Sequence, residues 1–264
     1  SLAEMNRRSD PMDILLTNDD GIHCEGLWAL NAVLRRGHAV TVVAPDRERT
    51  AVSHGITLHQ PLRADRISLN GCGSGYAVNG TPADCINIAI HHLLSSPPLL
   101  IVSGINRGGN LGSDLNYSGT LAGALEGARM GIASFSMSLV GDESFEYRPA
   151  AHFALRLARF ILERGLPPNT MLNVNVPDTA GQPIERYRIT RQGVQRHRNT
   201  IEKKVDPRGI SYYWIGRVMN CLPSSAGDVA SDYRAMEEQV ISVTPLIIDR
   251  TNEVSHKEMS GWTI

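Results

Sequence analysis

Apolar runs alternate with amphipathic segments along the first part of the chain. Residues 13–17 are apolar and end at the polar tetrapeptide 18–21, a pattern typical of a buried strand that runs into a turn. Residues 25–36 place four apolar side chains on one helical face, namely Leu27, Leu30, Val33 and Leu34. Residues 40–44 then predict a second buried strand. Together these segments predict a β-α-β unit with a right-handed crossover.

The same alternation continues to residue 165 and then changes. It predicts helices at 81–94, 120–130 and 149–164 and strands at 99–102 and 133–140. After residue 166 the pattern predicts strands without regular helices between them, at 171–176, 187–191, 212–215 and 240–244. The expected fold is therefore α/β, a doubly wound and mainly parallel sheet over 12–165 with a β-rich part over 166–264. With 264 residues, one large domain is expected.

Composition narrows the class of protein. Twenty-six basic and 27 acidic residues give a formal charge of -1, so no drive toward nucleic acid polymers or anionic membranes is expected. No apolar run approaches the ~18 residues that a membrane span needs. Four cysteines without CxxC spacing favour a reducing cytoplasm. Residues 1–11 are expected to be a tail outside the fold, and the polar stretch 192–210, rich in basic residues, is expected to be an extended arm.

Polar residues follow the ends of three predicted strands, at 18–21, 46–54 and 103–120. Ligands of open α/β sheets bind at the carboxyl ends of the strands, where such loops meet. Asp19 and Asp20 are adjacent, and their repulsion favours a cation between them, although a solvated turn is the alternative. Histidine and cysteine do not cluster near these loops, so oxygen ligands and a hard cation such as Mg²⁺ or Mn²⁺ are expected rather than zinc.

The glycine-rich loop 103–120 is a candidate phosphate site, because backbone amides at a helix start bind phosphate well. The candidate phosphate-binding and substrate-binding residues are Asn79, Gly109, Asn110, Ser118, Gly119 and Thr120. A flexible loop that binds nothing is the alternative for 103–120. Residues 79–81 are expected near the substrate pocket, and the alternative is that Thr81 simply caps the helix that follows.

Several catalytic motifs are absent from the sequence. It contains no GxxxxGK[ST], no GxGxxG after the first strand and no GxSxG. A water activated by a metal is therefore favoured over a covalent enzyme intermediate. Asp19 and Asp20 are candidate proton acceptors, whereas His23 and His54 are each more simply explained as packing or surface histidines.

Taken together, five segments resemble the stationary-phase survival protein SurE family. In chain order they are ILLTNDDGIHCEGL (14–27), VVAPDRERTAVSHGITL (42–58), NGTPADC (79–85), VSGINRGGNLGSDLNYSGTLAGALEG (102–127) and LNVNVP (172–177). The resemblance implies a Rossmann-like core and a phosphohydrolase, a 5'-nucleotidase that acts on nucleoside monophosphates with one divalent cation per subunit. Family metal ligands carry over to Asp19, Asp20 and Asn106. Thr50 occupies the place of a family serine and keeps the hydroxyl.

The resemblance also implies an assembly. A homodimer or tetramer is expected, with arms near 192–235 exchanged between protomers. Catalysis is assigned to Asp19 and Asp20. 3'-Monophosphates and short polyphosphate are further candidate substrates, and the preferred base stays open. The competing hypotheses are a nucleotide-binding regulator without turnover and a Rossmann-like oxidoreductase.

Overall fold

A computed structural model of the chain describes residues 13–69, 71–141, 145–194, 198–218 and 230–263. The expected tail at 1–11 and Cys221 lie outside these residues. Within them the strands are β1 Asp13–Thr17, β2 Ala39–Pro45, β3 Ala64–Leu69, β4 Gly73–Val78, β5 Leu100–Arg107, β6 Ala133–Val140, β7 Thr170–Pro177, β8 Tyr187–Ile189, β9 Arg198–Val205, β10 Ser211–Val218 and β11 Ile241–Ile247. The α-helices are α1 Glu25–Leu34, α2 Pro82–Ile88, α3 Gly119–Arg129, α4 Tyr147–Arg164, α5 Asp232–Glu237 and α6 Glu253–Met259.

One nine-stranded sheet organises the fold, in the order β3-β4-β2-β1-β5-β6-β7-β11-β8. The strands from β4 to β7 in this order run parallel. At one edge β3 is antiparallel to β4, and at the other end β11 is antiparallel to β7 and parallel to β8. The prediction of a doubly wound, mainly parallel α/β sheet is confirmed. Because β7, β8 and β11 join the same sheet, the core and the predicted β-rich part share one set of hydrogen-bonded strands.

The core forms on both faces of the sheet because strand side chains alternate between them. In β1, Ile14 and Leu16 pack with α1 and α4, whereas Leu15 packs with α2 on the opposite face. All three are buried to 1% exposure or less. Burial of such a side chain stabilises the fold by roughly 1.5–3 kcal/mol. Helix α3 packs beside α2 on that second face, so helices cover both faces of the sheet.

Two local predictions are wrong, and one hairpin of the large sheet was not predicted. Residues 103–106 continue strand β5 rather than opening a loop, because Asn106 pairs with Ser138 of β6 after a bulge. The hairpin of β3 and β4 was not expected, since its sequence shows little hydrophobic alternation. The C-terminal half contains the short helices α5 and α6, capped by Ser231 and Asn252. Both are too short to show a clear helical period.

The β9–β10 hairpin stands apart from the large sheet. Its strands pair antiparallel, with Ile215 opposite Ile201 and Tyr213 opposite Lys203, and they form a separate two-stranded sheet. Part of the predicted polar arm is therefore strand β9. None of the helices in the described ranges is long and apolar enough to cross a membrane.

Candidate active site

The candidate site lies at β1, where the order in which strands are added to the sheet changes direction. From β1 the chain adds β2 on one side, and later β5 on the other side of β1. The parallel register of β1 and β5 places Thr17 beside Ser103, so the residues that follow β1 emerge beside the last residues of β5. Such a switch point at the carboxyl edge is where ligands bind in this class of sheet. A cavity of about 730 Å³ opens there, lined by the four predicted metal ligands Asp19, Asp20, Thr50 and Asn106.

Asp19 is fixed by the first turn of α3. Asp19 is only 5% exposed, and the Thr120 hydroxyl donates a hydrogen bond of 2.5 Å to its Oδ1. A Cβ at Gly119 would lie 2.8 Å from both Cβ and Oδ2 of Asp19, so only glycine lets the helix approach this closely. Burial and, to a smaller extent, the charge of Asp20 raise the pKa of Asp19 to about 6. The site therefore holds a carboxylate that favours a nearby positive charge.

Asp20 is oriented by two donors. The backbone N–H of Arg107 lies 3.1 Å from Oδ2, and the Cys24 thiol lies 3.7 Å from the same oxygen. Burial raises the pKa of Asp20 above its usual range. Burial, together with the Asp20 charge, also raises the pKa of the Cys24 thiol to about 11, so Cys24 is a donor rather than a thiolate.

Thr50 and Asn106 bring uncharged oxygens to the same cavity. The Asn106 amide nitrogen donates to the carbonyl of Gly108 at 2.7 Å, so Oδ1 is the oxygen that this side chain offers to a cation. The exposed Thr50 hydroxyl donates to Oε1 of Glu48. Glu48 also lines the cavity, and its charge contributes to the raised pKa of Asp20. Sequence reasoning missed Glu48 because nothing in 46–49 indicates which side chain turns inward.

The predicted phosphate-binding residues divide into three groups. Gly109, Asn110 and Ser118 line the cavity. Gly119 and Thr120 contact Asp19, and the fully buried Thr120 hydroxyl is engaged by that carboxylate instead of facing the cavity. Asn79 is not among the lining residues: its Oδ1 accepts from the backbone N–H of Arg63 at 2.7 Å, and its carbonyl accepts from Arg49.

The glycine-rich loop is anchored by two buried asparagines of β7. The side-chain amides of Asn173 and Asn175 both donate to the Asn110 carbonyl at 2.9 Å, and Asn175 Oδ1 accepts the Asn110 N–H at 2.8 Å. Sequence reasoning did not assign this role. The alternation of asparagine and valine in 172–176 was the available signal, since polar residues repeated on one face of a buried strand need partners.

Neither candidate histidine lines the main cavity. His23 is exposed. His54 lies on the 46–54 loop, where its Nε2 is 2.6 Å from Oε2 of Glu126. The interpretation of both as packing or surface histidines stays a prediction.

The donor set fits a hard divalent cation. No group of three or more His, Cys, Asp or Glu side chains suited to a metal occurs in the part of the chain that the structure describes. One buried and one half-buried carboxylate, one hydroxyl and one amide oxygen line the same cavity instead, and oxygen ligands of this kind suit Mg²⁺ or Mn²⁺. The raised pKa of Asp19 fits as well, because a cation would offset the cost of burying its charge.

Known proteins resemble the whole chain. The profile of the family described as Survival protein SurE matches residues 14–199. A protein named 5'-nucleotidase SurE from Geobacter sulfurreducens is 48% identical over 254 residues, covering 96% of this chain and 94% of that protein. Another of the same name from Syntrophotalea carbinolica is 49% identical over 261 residues, with 96% and 98% covered. The crystal structure of SurE protein from Aquifex aeolicus superposes with a TM-score of 0.81 at 36% identity, covering 94% and 98% of the two chains.

Proposed function

The chain belongs to the SurE family, and from that premise we infer that it is a 5'-nucleotidase, which hydrolyses nucleoside 5'-monophosphates to nucleoside and phosphate. The observation that carries this inference is the convergence of Asp19, Asp20, Thr50 and Asn106 on one cavity at the switch point of the sheet. We propose further that the reaction depends on one divalent cation per subunit, Mg²⁺ or Mn²⁺.

The four converging residues are the proposed cation ligands. Asp19 and Asp20 supply the negative charge, and Thr50 and Asn106 supply neutral oxygens. A divalent cation bound there supplies Lewis acidity toward a phosphate oxygen and lowers the pKa of water. Asp19 and Asp20 are also the candidate groups that accept the proton of the attacking water.

The substrate phosphate is proposed to lie between the carboxylates and the glycine-rich loop. Gly109, Asn110 and Ser118 border that space. The amino end of α3 begins there, and its partial positive charge favours an anion. Asn173 and Asn175 hold the Asn110 backbone in place, so the amides of this loop need little rearrangement when phosphate binds.

Phosphate release separates this function from its alternatives. The protein, freed of metal by chelation, is expected to release phosphate from AMP or GMP only after Mn²⁺ or Mg²⁺ is added. Binding of the nucleotide without release of phosphate would instead support a regulator. 3'-AMP and short polyphosphate, assayed in parallel, test the wider substrate range.

A homodimer is the proposed assembly, formed through the β9–β10 hairpin, with a tetramer as a further arrangement of such dimers. One face of the hairpin exposes large apolar side chains, including Ile201 at 69%, Tyr213 at 60% and Ile215 at 74%. Exposed apolar groups of this density mark a surface that another chain covers. The cytoplasmic location remains a prediction, and the free thiols of Cys24, Cys72 and Cys85 are compatible with it.

A further inference from the structure

The loop 50–55, which begins with the proposed cation ligand Thr50, has little core packing of its own. Thr50 and Ala51 line the main cavity, whereas Val52, Ser53, His54 and Gly55 line a second cavity of about 490 Å³. The loop is therefore a thin wall between two cavities. Its position must come from polar contacts rather than from burial of apolar groups.

The backbone of this loop also needs support. Ala51 has a φ of 57° and Ser53 a φ of 53°, so two residues with side chains adopt the left-handed conformation. Each such residue costs on the order of 1–2 kcal/mol, and the conformation persists only where neighbouring contacts impose it. On the inner side, Ser53 donates from its hydroxyl to the Asn116 carbonyl at 2.8 Å and from its N–H to the Tyr117 carbonyl at 3.0 Å.

On its other side the loop is held at Gly55, whose carbonyl accepts from the Thr81 hydroxyl at 2.7 Å, and at His54, which contacts Glu126 of α3. Glu126 is 5% exposed, and its carboxylate accepts hydrogen bonds from His54 at 2.6 Å, Asn87 at 2.9 Å and Arg129 at 3.1 Å. His54, Asn87 and Arg129 hold the pKa of Glu126 below its usual range despite its burial. A buried carboxylate is costly unless it is fully paired. Asn87 belongs to α2 and Arg129 to α3, so His54 is the one of these three partners that comes from the loop.

Helix α3 thereby contacts both Asp19 and the loop that begins with Thr50. Thr120 holds Asp19 at its first turn, and Glu126 holds His54 six residues later, roughly 9 Å along the helix at 1.5 Å per residue. We propose that Glu126 is a positioning residue that, through His54, fixes loop 50–55 and so sets the affinity of the site for its divalent cation. This inference rests on the proposed cation site and on Thr50 as a ligand.

The test measures Mn²⁺ binding directly, by calorimetry or by the spin resonance of free Mn²⁺, on the full-length protein. His54→Ala removes the loop's contact with Glu126 and is expected to weaken Mn²⁺ binding about tenfold, as loss of an outer-shell partner commonly does. His54→Gln keeps an N–H donor and is expected to restore most of the affinity. Arg129→Ala removes a different donor from the same carboxylate and is the matched control, with Mn²⁺ affinity expected within about twofold of wild type.

The Glu126→Gln variant completes a double-mutant cycle with His54→Ala. If the two residues act through one contact, the Mn²⁺ affinity of the double variant equals that of whichever single variant has the lower affinity. Unchanged Mn²⁺ affinity in His54→Ala overturns the proposal, even if the melting temperature falls. Equal weakening by Arg129→Ala also overturns it, because the effect then does not pass through the loop. Failure of the cation site itself has a separate signature, namely Asp19→Asn binding Mn²⁺ as tightly as wild type.

Discussion

The carboxyl edge of β1 and β5 and the β9–β10 hairpin depart from ordinary burial in opposite senses. At the edge, the polar Asp19 is 5% exposed, whereas on the hairpin the apolar Ile215 is 74% exposed. Both arrangements cost free energy in the isolated chain. Each suits the partner of matching chemistry proposed above, namely a cation with a phosphate at the edge and an apolar surface of a second chain at the hairpin.

The two regions also meet. Ile215 of β10 lines the same cavity as Asp19 and Asp20. One wall of the proposed active site therefore belongs to the element whose apolar face is proposed to mediate assembly. The occupant of one region is expected to influence the other.

The largest expected effect comes from removing one charge at the edge. Asp19→Asn keeps the size of the side chain and an oxygen for the Thr120 hydroxyl. Nucleotidase activity is expected to fall on the order of a thousandfold, because several kcal/mol of charge stabilisation is lost. The melting temperature should stay level or rise, since burial of this carboxylate is unfavourable. Full activity of the variant after exhaustive chelation would disprove the cation site.

A change on the apolar face of the hairpin is expected to rank second. Ile201→Thr combined with Tyr213→Thr keeps strand-forming residues while removing two exposed apolar side chains. The dimer dissociation constant, measured by sedimentation, is expected to rise about a hundredfold, since burial of each contributes roughly 1.5 kcal/mol or more.

The control for this experiment lies on the opposite face of the same hairpin. Glu202→Thr combined with Lys204→Thr removes an exposed ion pair with an N–O distance of 3.4 Å. Such pairs contribute little, so assembly should be unchanged. Equal sedimentation of wild type and both double variants would show that the apolar face is not the interface.

Two substitutions of Thr50 distinguish a cation ligand from a threonine with only a structural role. Thr50→Ser keeps the hydroxyl and is expected to respond to Mn²⁺ like wild type. Thr50→Val keeps the branched shape but loses the oxygen, and the Mn²⁺ concentration for half-maximal activity is expected to rise about tenfold. Equal Mn²⁺ response in wild type and Thr50→Val, with melting temperatures recorded alongside, would remove Thr50 from the ligand set.

The smallest effect is a pH dependence of stability at Glu126. Its folded pKa is lowered from 4.5, so the ionised form stabilises the fold above pH 4.5, and this contribution is lost as the pH falls through the lower folded value. Wild type is therefore expected to be about 1 kcal/mol more stable than Glu126→Gln at pH 7, with the difference shrinking below pH 4.5. Denaturant unfolding at both pH values measures it. A difference that grows toward low pH would contradict this assignment.

Local patterns predicted most of the core and the chemistry of the proposed ligands. The periodicity of 13–17 and 25–36 was sufficient for β1 and α1, because burial on one face imposes a period that is visible in the sequence. The adjacent Asp19 and Asp20 at a strand end pointed to the edge of the sheet. The β3–β4 hairpin and β9 were missed, because few of their described residues are buried and the buried ones show no clear alternation.

The sequence by itself determined the buried strands and long helices of the core and which donor atoms follow those strands. Only the tertiary structure decided which side chains meet: Thr120 engages Asp19, the asparagines of β7 hold Asn110, and His54 reaches Glu126 from 72 positions away. The reason is physical. Periodicity records the side of an element that is buried, whereas the partner of a polar group depends on distant segments that become neighbours only when the sheet and its helices have packed.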